Sequence, residues 1–152
     1  MTILRLLRRH PLVKFISGPI PSRAYGFILE DENFDHFARY YLDKFSLHPD
    51  KPEQLENRLA GIADLGYILI PTCLANVRIG MPAVRREVVW VIKENGMYGQ
   101  LLVLCDNASP ATMDVQITPE DLHFIREFLN IPPDVAPNWY DVPEDDWPKG
   151  GA

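Results

Sequence analysis

Cysteine and histidine are scarce in this 152-residue chain, with two of the first and four of the second. Cys73 and Cys105 are too few for a disulfide framework, and their separation matches no CxxC metal or redox spacing. Both sit among apolar neighbours, as expected of small buried hydrophobes in a reducing compartment. His10, His36, His48 and His123 are scattered, and none pairs with another histidine, cysteine or acid at three- or four-residue spacing to make a convincing metal site. There is no GxSxG, HExxH or GxxxxGK[ST] pattern. No catalytic residue, metal or cofactor is therefore assigned. Long apolar runs are missing too: Leu65 to Ile70, with a glycine inside, is the longest candidate, far short of a membrane span. What remains is 47% hydrophobic and 24% charged, the composition of one soluble globular domain.

Acids are absent from residues 1–29, which carry Arg5, Arg8, Arg9, Lys14 and Arg23. The other ten bases face all 21 acids, so a net charge of -6 hides a basic start on an acidic body. Such a body lacks the basic stripe that displaces counterions from phosphates, and no sequence-specific nucleic-acid binding is expected.

Wound as a helix, residues 1–10 place Arg5, Arg8 and Arg9 on one face and Ile3, Leu4, Leu6 and Leu7 on the other, until Pro11 stops it. This arginine-rich, acid-free start resembles a mitochondrial targeting presequence. Ser22-Arg23-Ala24-Tyr25-Gly26 is similar to a processing pattern with an arginine two residues before a terminal aromatic and a small residue after the cut, which would then follow Tyr25. The resemblance implies a mitochondrial location. The alternative is a cytoplasmic protein whose residues 1–29 pack on the body or hold a partner.

The compact domain is assigned to residues 30–131. Phe34, Phe37, Ala38, Tyr41 and Phe45 recur at three- and four-residue steps and predict a helix over about 31–45. Leu55, Leu59, Ile62 and Ala63 predict a second over about 51–64. Gly66 suits a left-handed helix end, followed by a short strand or last turn at 67–70. The β-branched run from Glu87, the Asn95-Gly96 dipeptide and the apolar stretch to Leu104 predict a hairpin over about 87–104, with positive φ at both turn residues. Met113, Val115 and Ile117 alternate as a strand over about 113–117. Thr118-Pro119-Glu120-Asp121 starts a third helix over about 119–130, closed by Asn130. The sum is α+β, a small antiparallel sheet packed against about three helices.

Residues 132–152 form a proline-rich acidic tail with Trp139, Tyr140 and Trp147. Prolines hold such a segment extended, and its aromatics are the side chains that most often anchor interfaces. The expected function is thus a noncatalytic accessory or adaptor protein with protein partners, bound through Trp139, Tyr140 and Trp147. The competing fate of the tail is a strap across its own domain. The competing function is a small enzyme or ligand binder with a pocket between sheet and helices, using Cys105, His36 or His123 with Asp106.

Overall fold

The computed structural model describes residues 20–77 and 87–143. They form a small α+β fold with five helices and a four-stranded antiparallel sheet. Strand β3 (Tyr98–Asp106) lies between β1 (Arg23–Leu29) and β2 (Val89–Ile92). Strand β4 (Asn138–Asp141) pairs with β1 and meets β2 at Ile92 opposite Asp141, closing the sheet into a barrel of order β1-β3-β2-β4.

Side chains alternate across each strand, so the sheet sorts its apolar residues into two cores. Ala24, Val89, Val91, Leu101 and Val103 fill the barrel, flanked by Ile28, Tyr140 and Val142. Phe27, Leu29, Leu102 and Leu104 point the other way, into the larger core under the helices. Burial on both faces is why Leu101-Leu102-Val103-Leu104 is apolar at every position. The pairing slips between Tyr25 and Gly26, which face Cys105 and Val103 and leave Leu104 as the extra residue. A Cβ on Gly26 would sit 1.9 Å from the Leu102 carbonyl oxygen, so only glycine allows this close approach.

Helix α1 (Asp31–Lys44) buries Phe34, Phe37, Ala38, Tyr41 and Leu42, the spacing that predicted it. Asn33 is also buried and ties two helices together. Its Oδ1 accepts from the Glu30 N–H at 2.7 Å, and its Nδ2 donates at 2.9 Å to the Leu129 carbonyl, in the last turn of a later helix. A single 3-10 turn at Pro52–Gln54 leads into α2 (Leu55–Asp64).

Helix α3 (Gly66–Val77) replaces the strand or last turn expected at 67–70. It leaves α2 at a 76° bend. Gly66 is not a left-handed cap: Gly96 is the positive-φ glycine among the described residues. Gly66 is needed for space, because a Cβ there would lie 2.6 Å from the Phe34 ring. Pro71 sits inside α3 and has no N–H to give the Tyr67 carbonyl four residues back. That carbonyl accepts instead from the Val88 N–H at 2.7 Å, which fixes the entry to β2.

The hairpin forms, but its turn is longer than the Asn95-Gly96 dipeptide suggested. Lys93 N–H bonds the Met97 carbonyl around Glu94-Asn95-Gly96, and only Gly96 has positive φ (81°). This is the three-residue loop with a left-handed glycine.

The strand expected at 113–117 is absent. Ser109 instead caps the short helix α4 (Pro110–Met113), and 115–117 run as an unpaired connection with Val115 and Ile117 against the core. β1 and β2 occupy both edges of β3, and β4 closes the ring, so the sheet has no place for another strand there.

Helix α5 (Pro119–Leu129) begins at Thr118 with a capping box to Asp121 and ends at left-handed Asn130, as read from the sequence. Arg126 then guides the chain onward. Its guanidinium donates to the Val135 carbonyl from Nε at 3.2 Å and from an Nη at 3.0 Å, while lying 5.4 Å over the Phe27 ring. β1 and β4, which lie outside residues 30–131, pair within the same sheet.

Candidate functional site

Of the tail aromatics, Trp139 and Tyr140 are half-buried within β4. Trp139 lies opposite Tyr25, with ring centroids 5.4 Å apart, and Tyr140 packs on the barrel core. β4 thus lies along β1, with Tyr140 against the barrel core and Trp139 against Tyr25, and both side chains remain partly exposed. Trp147 lies outside the described residues.

Arg5, Arg8 and Arg9 also lie outside them. Arg23 opens β1, with its guanidinium 3.5 Å from Asp141 on the surface. Asn107 Oδ1 accepts from the backbone N–H groups of Ser22 and Arg23, and Ala24 is fully buried. A cut after Tyr25 would thus pass through β1, removing Ala24 from the barrel and Tyr25 from its contact with Trp139.

The residues weighed for catalysis stay apart from the cleft described next. His36 is exposed on α1, and exposed His123 pairs with Glu127 at 3.2 Å along α5. Cys73 is buried in the main core, where burial pushes its thiol up to about 12. The half-buried Cys105 thiol is also raised, first by burial and then by the neighbouring Asp106 carboxylate. At neutral pH both are protonated and poor nucleophiles.

A cleft of about 370 Å³ opens where α1, α2, α3 and β3 meet. Asp31 and Asp35 on α1, Asp64 at the end of α2, Tyr67 on α3 and Gln100 on β3 line it, with Phe34 among its walls. It sits at the sheet–helix junction and is lined by carboxylates, a phenol and an amide, without histidine or thiol.

Its charges differ in local effect, and Asp31 in the first turn of α1 complements the helix dipole. Asp31 and Asp35 are one helical turn apart, a like-charge spacing that costs about 0.2–0.5 kcal/mol. Asp64 adds a carboxylate at the C-terminal, electronegative end of α2. Among the described residues none of the three has a cationic partner.

Gln100 joins this cleft to the outer face of the hairpin. It pairs with Trp90, and Tyr98 pairs with Ile92, so these four side chains share one face. The helices cover that face at Leu102 and Leu104 but leave Trp90 47% and Tyr98 56% exposed, with Met97 at the turn 65% exposed. Tyr67, 40% exposed, borders it across the cleft.

The sequence places Asp31 at a helix start, Asp64 at a helix end and Trp90 in a strand, and no local pattern brings them together. The available signal was the pairing of Trp90 with Gln100, which follows only once the hairpin turn is known to have three residues.

Comparison with protein-family models, curated proteins and solved structures finds no match to this chain. Among the described residues no single helix is long and apolar enough to cross a membrane, and no group of metal-ligating side chains is gathered.

Proposed function

We propose that this chain is a noncatalytic accessory or adaptor protein that works by protein–protein contact through the outer face of the β2–β3 hairpin. One observation carries the reading: Trp90 and Tyr98 are large aromatic side chains held in the open on the same face of the hairpin. Exposed aromatics on a fixed backbone supply contact area at little cost in conformational entropy, which suits them as interface anchors. Trp139 and Tyr140 pack partly on β1 and the barrel while staying partly exposed, so the hairpin face is proposed beside the tail aromatics rather than in their place. The arginine-bearing N-terminus supports a mitochondrial address as part of the same proposal. Mass spectrometry of the native N-terminus tests it, with any cut expected before Ser22.

The test of function is co-purification from the native host with the wild-type chain and a Trp90→Ser/Tyr98→Ser variant. A stoichiometric partner should be lost from the variant while the thermal transition stays within a few degrees. Retention of that partner by the folded variant would remove the hairpin from the interface.

A further inference from the structure

The tip of the hairpin carries a chemistry of its own. Of the seven asparagines in the chain, Asn95 alone precedes a glycine. Glu94, Asn95, Gly96 and Met97 are all exposed, and a Cβ built on Gly96 would meet nothing within 4 Å. We propose that Asn95 is a site of spontaneous deamidation, converted through a succinimide to aspartate and isoaspartate, and that this conversion reshapes the hairpin. The conversion stands independently of the adaptor reading, whereas its effect on partner capture rests on that reading.

The loop holds the reacting atoms near one another. Asn95 Oδ1 accepts from the Met97 N–H at 3.0 Å, a turn in which the side chain bonds the backbone two residues on. The ring closed by that bond includes both the Asn95 Cγ and the Gly96 nitrogen. The Met97 N–H also draws charge onto Oδ1, as donors do at a carbonyl that passes through a tetrahedral oxyanion. Gly96 has no Cβ to obstruct the approach and tolerates its φ of 81°. One contact opposes the reaction: the Gly96 N–H donates to the Lys93 carbonyl at 2.9 Å, so the loop must open there first. Elsewhere the amides are more firmly held. Asn33 and Asn107 are bonded at both ends, and all six other asparagines precede a residue with a side chain.

Hydroxide removes the proton from the Gly96 nitrogen, which attacks Cγ and forms an N–Cγ bond. The Cγ–Nδ2 bond then breaks, and Nδ2 leaves as ammonia after taking a proton from water. Water next opens the ring. Breaking the N–Cγ bond gives aspartate, and breaking the bond from the Gly96 nitrogen to the Asn95 backbone carbonyl carbon gives isoaspartate. One water is consumed and one ammonia released. Either product sets a carboxylate beside Glu94, and isoaspartate also routes the main chain through Cβ. The lengthened loop no longer matches the three-residue connection that sets Lys93 against Met97 and Ile92 against Tyr98.

The experiment ages the full chain at neutral and at mildly alkaline pH and follows each asparagine by peptide-mapping mass spectrometry, with an isoaspartyl-specific methyltransferase assay alongside. Asn95 should convert at least tenfold faster than any other asparagine, and faster still at the higher pH. Gly96→Ala should slow the conversion at least tenfold, and Asn95→Gln should abolish the isoaspartate signal. An Asn95 that stays intact, or converts no faster than exposed Asn138, would overturn the site. Aged wild type should capture less of its native partner, while Asn95→Gln aged beside it should keep full capture. If converted wild type captures as well as fresh protein while Trp90→Ser/Tyr98→Ser does not, the effect on the interface falls and both the modification site and the hairpin interface stand.

Discussion

Cys73 shows what a single side chain contributes. Its thiol is almost fully enclosed and is held up to about 12, against an ordinary value near 9 that the unfolded chain regains. The folded state therefore keeps this proton to higher pH than the unfolded state does. The stability tied to the neutral thiol is complete below pH 9 and is lost as pH rises toward 12, at roughly 1.4 kcal/mol per unit. Urea melts of the wild type and Cys73→Ala, taken at pH 7 and near pH 10.5, should show the wild type losing about 2 kcal/mol more than the variant. Equal losses would mean that the thiol is already ionised in the fold. Asn33 makes the opposite point. It is a polar residue in the core that is tolerated because both ends of its amide are bonded, at Glu30 and Leu129.

At the scale of elements, β1 is where the N-terminal motif acquires structural work. Ser22-Arg23-Ala24-Tyr25 joins Asn107, the barrel core and Trp139, and the Ser22 carbonyl accepts from the Val142 N–H at 3.0 Å. Two truncated chains, one starting at Ser22 and one at Gly26, should differ sharply. The second should melt roughly 10 °C or more below the first, a shift that corresponds to several kcal/mol in a domain of this size. Matching melts would show that β1 does not need its first three residues.

The elements most legible in the sequence were those that local chemistry dictates. Phe34, Phe37 and Tyr41 marked α1, and Thr118, Asp121 and Asn130 bounded α5, because caps and apolar stripes act within one or two turns. Gly66 and Pro71 are not explained locally, since each answers to a distant partner: the Phe34 ring for one and the Val88 N–H for the other. Met113, Val115 and Ile117 alternate as a strand should, yet strands need a free edge and the barrel leaves none there. The cleft was illegible for the same reason. Asp31, Asp64 and Gln100 come from α1, α2 and β3, elements that only tertiary packing brings together.

For the molecule as a whole, closure of the barrel is the feature on which its two cores depend. β4 brings Tyr140 against Ala24, Val89, Val91, Leu101 and Val103, and the single pairing of Ile92 with Asp141 completes the ring. A chain ending at Ile131 would open this interior to water, whereas one ending at Pro143 keeps β4. Thermal denaturation should place the shorter chain at least 10 °C below the longer one, or find it unfolded. Similar melting temperatures would show that β4 merely rests on a barrel already stable without it.

Pro71 carries this dependence back into the helical layer. By withholding a donor, it frees an acceptor for the strand that follows, so the missing atom acts as an instruction passed between layers. Helix and sheet are thereby registered to one another at the margin of the cleft, and a residue ordinarily regarded as a fault in a helix becomes the hinge pin of the whole assembly.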